Sequence, residues 1–598
     1  ITWGLEPLGA TRVPVELLAR PGHELTDKTE TQKLYLSIGG AEGEEARVEW
    51  LDIGMKNRRQ AHLQTFRSNI DGTVQQYALV PPIDDSSMEG ERGLVLSLHG
   101  AGVKPMNQAG CFTPKKEWWI ACPTNRSPYG FDWQDWGRLD AYEVRDAVLA
   151  RFDLPDDKVA LTGHSMGGHG TWHLAVNDPD AWCALAPSAG WCSFDTYGSR
   201  PEGSLRQLWH GADGASDTLS LLANLQTKPL FILHGEADDN VPVSEAENMA
   251  AACEQLGIDF SIHLEPGAGH WWGNQCMDWP GIFDSFAGKR IPQSPLQLDF
   301  RTADPVIDSS HHWLTVEQPL RYGEISHISA KRAKNGSGAA ITTENIRMFK
   351  VDLPLQRVNI DGQEFQSIEA GPHGLWFVRQ GGLEDEQTIW ELRHGGPSSG
   401  EKNPGRSGPF KRAFDRNFVL VYGSRGTESE TAELLARARY DSEVWFYRAN
   451  GHARLCSDQE FLDPEHQEDF TERNVILYGN ADNNAAWETV LAADAPIQVH
   501  ANKLTLGAES WQGDDLAATF VLPRKGEHHT LVGVFASTGT AGARLGYTLA
   551  PFISGVGYPD YAVFNSKVLE SGDDAILAAG WWNQSWGHGE EAGAMEIR

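Results

Sequence analysis

The segment Lys158-Val-Ala-Leu-Thr-Gly-His-Ser-Met-Gly-Gly168 restricts the fold more than any other stretch of the 598 residues. An apolar run from Val159 to Thr162 leads into the pattern G-x-S-x-G at Gly163 through Gly167. A helical pattern, Met166 to Val176, begins inside it. A strand that turns at once into a helix around one serine needs a sheet with helices laid over it, because the helix must fold back on the strand it has left. The glycines let the turn close without Cβ clashes. The Ser165 hydroxyl then stands at a helix N-terminus, where negative charge developing on a nearby oxygen is stabilised.

The neighbouring pattern supplies the rest of such a sheet. Apolar runs at Leu94 to Leu98, Trp118 to Ala121, Leu230 to Leu233 and Phe260 to Leu264 alternate with helical segments at Asp140 to Arg151 and Ser244 to Leu256. This reads as a parallel sheet covered on both faces, an α/β unit over residues 91–292. Residues 1–90 read as a small β-rich domain, Ig-like in type, in which Ser68 to Pro81 forms a hairpin with Asp71-Gly72 at its turn. Residues 293–395 read as a second β-rich module. Residues 396–598 read as a non-catalytic, Rossmann-like α/β domain, entered through the Gly/Pro/Ser-rich stretch Gly395 to Pro409 as a linker or long surface loop.

A nucleophilic serine needs a base, and the base needs an orienting group. Both follow Ser165 in sequence. Leu230-Phe-Ile-Leu-His-Gly-Glu-Ala-Asp238 sets Asp238 on a turn beyond a strand, with Asp239 as its rival. Ile262-His-Leu-Glu-Pro-Gly-Ala-Gly-His270 sets His270 in a glycine-rich loop beyond another strand, while His263 lies inside that strand and reads as structural. Leu94 to Leu98 runs into His99-Gly100, so one oxyanion-stabilising N–H is assigned to Met166 and the second to Ala101 or Gly102. His99 reads as support for that loop.

Gly163-His-Ser-Met-Gly-Gly168, His234-Gly-Glu-Ala-Asp238 with Val241-Pro242, and Gly269-His270-Trp271 together resemble the α/β-hydrolase superfamily. The nearest branch is that of prolyl oligopeptidase-like serine hydrolases and related esterases, including feruloyl and acetyl xylan esterases. The likeness covers roughly residues 90 to 290. The whole arrangement also resembles large multidomain predicted peptidases of environmental bacteria. It implies an α/β-hydrolase catalytic domain with flanking β-rich modules and a second α/β domain. One departure matters: about 90 residues precede the hydrolase, too few for a β-propeller at roughly 40–50 residues per blade.

Composition narrows the partners. The 50 Lys and Arg against 82 Asp and Glu give a net charge of −32, a field that repels nucleic acid, and no basic run offsets it. No stretch is apolar and long enough to span a bilayer. The chain starts at Ile1 without a charged and apolar leader, so the expectation is a secreted or periplasmic protein whose signal peptide has been removed. Of 22 Trp, eleven lie between Trp118 and Trp279. Core packing accounts for most tryptophans, but flat walls around a sugar or aromatic acyl group are the alternative. Trp133, Trp136, Arg138 and Trp271 are the substrate-contact candidates. Six of seven cysteines fall between Cys111 and Cys276, where bridges joining Cys111 with Cys122 or Cys183 with Cys192 are open.

Other features read as bland. Gly396-Pro-Ser-Ser-Gly400 repeats the serine pattern without a strand before it or a helix after it, so Ser398 is a loop residue. Gly423-Ser-Arg-Gly426 lacks the rest of a phosphate loop. His311-His312 would point to opposite faces of a strand, and Asp213, Asp217 and Asp482-Asn-Asn484 match no calcium loop. The expectation is a serine hydrolase that cleaves carboxylic esters through an acyl-enzyme, without cofactor or metal, on an acetylated or feruloylated polysaccharide. A prolyl oligopeptidase-like peptidase or aminopeptidase, with an acidic pair gripping the substrate amine, is the second reading. A catalytically silent glycan-binding protein is the third. Oligomeric state is left open.

Overall fold

The computed structural model of the chain describes residues 30–38, 47–57, 59–84, 91–198, 205–368, 374–381, 389–589 and 595–597. Strands β1 (Glu30–Ile38) and β2 (Arg47–Met55) pair antiparallel as a separate two-stranded ribbon. The hairpin of β3 (His62–Arg67) and β4 (Val74–Val80) is folded as the sequence suggests but belongs elsewhere. Strand β4 pairs antiparallel with the strand Trp118–Cys122, so the hairpin forms one edge of the large sheet rather than part of a domain ending at residue 90. The alternation after Asp71-Gly72 identifies a hairpin but carries no information about which sheet receives it.

That sheet holds eight strands in the order β10-β9-β8-β7-β5-β6-β4-β3. Its parallel part comprises β5 (Gly93–Leu98), β6 (Trp118–Cys122), β7 (Val159–His164), β8 (Ala184–Ser188), β9 (Leu230–Gly235) and β10 (Phe260–Glu265). Successive side chains on a strand face opposite ways, and two cores follow from that alternation. Leu94, Leu96, Leu98, Leu161 and Leu185 face one core with Val144 and Val148 of the helix Asp135–Phe152 and Met249 of the helix Ser244–Leu256. Val95, Ala160 and Ala184 face the other with Ile282 and Phe286 of the helix Pro280–Phe286. Both faces are thereby covered, which is why β7 is buried along its whole length.

The described residues between 297 and 393 form two five-stranded sheets that share one core, with Phe300, Ile328 and Ile341 from one facing Val316, Phe349 and Phe377 from the other, a β-sandwich. The C-terminal unit is built on an eight-stranded mixed sheet whose first four strands are parallel. Its longest helix, Glu428–Ala449, starts with a reciprocal cap between Thr427 and Glu430 and ends on Asn450 in the left-handed conformation.

The stretch expected as a surface linker, Gly395 to Pro409, is partly buried. Lys402 is fully enclosed, pairs with the equally buried Asp560, donates to the Trp582 carbonyl and lies over the Tyr322 ring. Glycine and proline mark irregular backbone, and irregular backbone can run through an interface between domains. No disulfide joins the cysteines, so neither of the bridges left open by the sequence, Cys111 with Cys122 or Cys183 with Cys192, is formed. Among the described residues no helix is long and apolar enough to cross a membrane.

Candidate active site

Ser165 sits between β7 and the helix Met166–Asn177 with φ 61° and ψ −120°, a conformation rarely tolerated by a residue with a Cβ. Two close approaches explain the flanking glycines. A Cβ on Gly163 would lie 2.2 Å from the Gly167 carbonyl oxygen, and one on Gly167 would lie 2.0 Å from that of Leu98. The Ser165 N–H donates to the Ser188 carbonyl at 2.9 Å, which fastens the strained turn to the neighbouring strand β8.

The loops after β9 and β10 bring the other two groups to it. His270 Nε2 is 2.8 Å from Ser165 Oγ, and its Nδ1 is 2.8 Å from Asp238 Oδ2. Asp238 rather than Asp239 makes this contact; Asp239 is exposed. The Asp238 side chain is buried, which alone would raise its pKa. Hydrogen bonding from His234 and His270 and from the Asn240 and Val241 N–H groups more than offsets that, holding the carboxyl well below the usual range. A carboxylate so held is ionised across the neutral range and fixes the His270 tautomer with a proton on Nδ1.

Beside this line stands a second imidazole that the sequence reading passed over. His164, the variable residue before the serine, has its ring 4.9 Å from that of His270. Burial and the neighbouring His270 push its pKa down to about 3, so it stays neutral. His234 was also missed, although its position four residues before Asp238 at the end of a strand was the available signal. Its Nε2 is 2.9 Å from the Val241 carbonyl and 3.2 Å from Asp238. His263 lies in β10, hydrogen-bonded to Glu265 and stacked on Trp279.

The main-chain donors separate into two sets. Met166 is the first residue of its helix, where N–H groups have no intrahelical acceptor. Gly100 approaches Ser165 closely, since a Cβ there would be 3.4 Å from the serine Cβ. The Gly102 N–H, one of the expected donors, is spent on the Pro128 carbonyl at 2.8 Å and points away from this use. The Ala101 N–H makes no hydrogen bond among the described residues. His99 is buried under the loop, its ring nitrogens 2.9 and 3.0 Å from the Gly100 and Thr124 carbonyls.

Three of the expected substrate contacts are corrected by burial. Trp133 is fully buried, donates from Nε1 to the His99 carbonyl at 3.0 Å and holds the loop from beneath. Trp136 is fully buried between domains, donating to the Phe414 carbonyl at 2.9 Å and packing on Phe131, Trp445 and Phe552. Arg138 is buried too and points toward the sandwich, with Nη1 3.4 Å from the Ile307 carbonyl. Trp271 is half exposed, its ring 5.2 Å from that of His164. Two tyrosines that the sequence did not single out join it at the rim. Tyr129 is exposed beside Gly102, and Tyr197 stacks on Trp191, which stacks on His169.

Residues 127–286, which contain Ser165, Asp238 and His270, match the family model described as the prolyl oligopeptidase family. An uncharacterized secreted protein of Arthroderma benhamiae is 24% identical over 591 residues, covering 90% of this chain and 60% of that protein. Dipeptidyl peptidase family member 1 of Caenorhabditis elegans is 28% identical over 148 residues, 23% of this chain and 18% of that one. The D-(-)-3-hydroxybutyrate oligomer hydrolase of an Azoarcus species is 26% identical over 181 residues, 27% of this chain and 23% of that one. The chain thus spans less than two thirds of the length of these relatives. It carries a prolyl oligopeptidase family domain of the α/β-hydrolase fold within a multidomain architecture.

Proposed function

We propose that the chain is a serine hydrolase that cleaves carboxylic esters through an acyl-enzyme, and that its substrate is an acetylated or feruloylated polysaccharide. The observation that carries the reading is the hydrogen-bonded line from Ser165 Oγ through His270 to Asp238. His270 Nε2 takes the hydroxyl proton as Oγ attacks the ester carbonyl carbon. The oxyanion so formed faces the Met166 and Ala101 N–H groups at the positive end of the helix. Collapse of the intermediate expels the alcohol, which leaves with the proton from His270. Water then attacks the acyl-enzyme with His270 again as base, releasing the acid and restoring Ser165. Asp238 orients the ring and stabilises its cationic form throughout.

The groups around Tyr197 support the ester reading. Two carboxylates that act on it through space, Asp238 and Glu245, are both engaged, while Asp239 beside Gly269 is exposed. Asp238 holds His270, while Glu245 accepts from the Cys192 N–H and the Thr196 hydroxyl. Tyr129, Tyr197 and Trp271 instead offer aromatic surface suited to an aryl acyl group or the apolar face of a sugar. A secreted location agrees with the Arthroderma relative. The second reading, peptide cleavage, draws on the family model and the Caenorhabditis peptidase.

A matched panel of short p-nitrophenyl esters, acetylated and feruloylated oligosaccharides, and aminoacyl and prolyl p-nitroanilides separates the two. Turnover of esters with anilides untouched is the expected result. Preferential anilide cleavage would establish the peptidase reading instead.

A further inference from the structure

Adjacent histidines on one strand should diverge, yet His311 and His312 converge. The strand Ser310–His311 pairs with Leu314–Pro319 so that His311 faces Leu314, which leaves His312 and Trp313 as the two-residue turn of a tight hairpin. His312 has φ 52°, and the turn swings its ring to within 4.8 Å of the His311 ring, centroid to centroid. Both imidazoles thereby point at Asp180, which lies in the short helical turn Pro179–Ala181 of the hydrolase domain.

The donor atoms of Asp180, His311 and His312 all lie within 4.8 Å of one another. Asp180 Oδ1 is 2.9 Å from His311 Nδ1 and 3.3 Å from His312 Nε2. Around an ion with bonds of about 2.0–2.1 Å, the 2.9 and 3.3 Å separations from Asp180 Oδ1 subtend roughly 90–110°, the range of tetrahedral and octahedral sites. The second carboxylate oxygen, Oδ2, accepts the His312 backbone N–H, so the carboxylate is oriented by a hydrogen bond that leaves Oδ1 to the cluster. His312 provides the second, independent observation. Its side chain is only 7% exposed, and its Nε2 makes no hydrogen bond although it is aimed at Asp180. An imidazole nitrogen buried without a hydrogen bond is costly, and a ligated ion would satisfy it.

The approach to these residues carries more acidic than basic groups. Asp180 and His312 line an open cleft of about 960 Å³ between the hydrolase domain and the sandwich, with Asp146, Asp156, Asp157, Asp178 and Asp352 around it and Arg145 among them. An excess of one charge sign favours counter-ions. The buried Lys228 ammonium also acts on His312 through space, and Asp180 and Asp178 act on that ammonium in turn.

We propose that Asp180, His311 and His312 bind a divalent first-row transition-metal ion of the zinc class, which clips the β-sandwich to the hydrolase domain. Two imidazoles and one carboxylate select such an ion over the all-oxygen preference of Ca²⁺ or Mg²⁺, and the cleft leaves solvent for the remaining positions. On binding, the ion replaces the proton shared between His311 Nδ1 and Asp180 Oδ1, and that proton passes to solvent.

The test is a titration of the chelator-treated full chain with Co²⁺, read by its visible d–d absorption, followed by displacement with Zn²⁺. One saturable equivalent is expected in the wild type, together with a Zn²⁺-dependent rise in Tm. Asp180→Asn and His312→Asn should each weaken binding at least tenfold and abolish the Tm rise. Asn keeps the shape at 180 and tolerates the left-handed turn at 312. The wild-type titration needs no variant, so misfolding of either one cannot mask the outcome. Absence of a saturable one-equivalent site, or wild-type affinity in both variants, would overturn the proposal.

Discussion

Replacing Trp136 by alanine separates two roles that the sequence leaves open. In the structure this side chain is fully buried, hydrogen-bonded to the Phe414 carbonyl and packed in an aromatic cluster with Phe131, Trp445 and Phe552. It joins the hydrolase domain to the C-terminal unit. Truncating a buried Trp to Ala costs about 3–5 kcal/mol through lost transfer energy and the cavity left behind. For a cooperative unit of 150–250 residues each kcal/mol is worth about 2–4 °C, so Tm should fall by about 6–20 °C. Trp136→Phe keeps a ring and loses the indole N–H, which leaves the Phe414 carbonyl without its donor at a cost of about 1–3 kcal/mol. Thermal unfolding followed by far-UV circular dichroism reads both variants. KM for a short ester should be unchanged at temperatures where the variants remain folded. A stability loss below about 1 kcal/mol for the alanine variant, together with a raised KM, would refute the packing role and return Trp136 to the substrate cleft.

Three further predictions rest on separate features. Because the Asp238 carboxyl is depressed, its contribution to stability is present above the ordinary carboxylate value of about 3.9 and is lost as pH falls below it. The stability gap between wild type and Asp238→Asn in urea should therefore be constant near neutrality and narrow below about pH 4; a gap that widens on acidification would contradict the assignment. Lys402→Met leaves the buried Asp560 carboxylate without its partner and should cost about 3–5 kcal/mol, much of it recovered in Lys402→Met with Asp560→Leu, measured by urea unfolding. With no disulfide between the cysteines, dithiothreitol should leave Tm unchanged, and the denatured chain should titrate with Ellman's reagent as seven thiols.

The unit around Ser165 was legible because its signals are local. A strand, a glycine-bracketed serine and a helix occupy consecutive residues from Val159 to Asn177, and steric necessity at Gly163 and Gly167 ties that order to one turn. The helix expected from Ser244 to Leu256 has those limits in the structure for the same reason, a periodic apolar face closed by Gly257 in the left-handed conformation. What was not legible depends on partners distant in sequence. Trp136 is an interface residue because Phe414, Trp445 and Phe552 cover it, more than 270 residues away, and nothing in its own neighbourhood distinguishes it from a cleft aromatic. Lys402 reads as a solvated loop residue until Asp560 and Tyr322 enclose it. His312 escaped because a two-residue turn breaks the alternation that a strand would impose. The Gly102 donor was lost to Pro128, a contact between two loops that no spacing encodes.

The central claim is that Ser165 carries the acyl group. Intact-protein and peptide mass spectrometry after rapid acid quenching of turnover with a p-nitrophenyl ester tests it most directly. The account predicts one acyl mass added to the wild type, confined to the peptide containing Ser165, and neither adduct nor turnover in Ser165→Ala. An adduct on another residue, or wild-type turnover in Ser165→Ala, would contradict it.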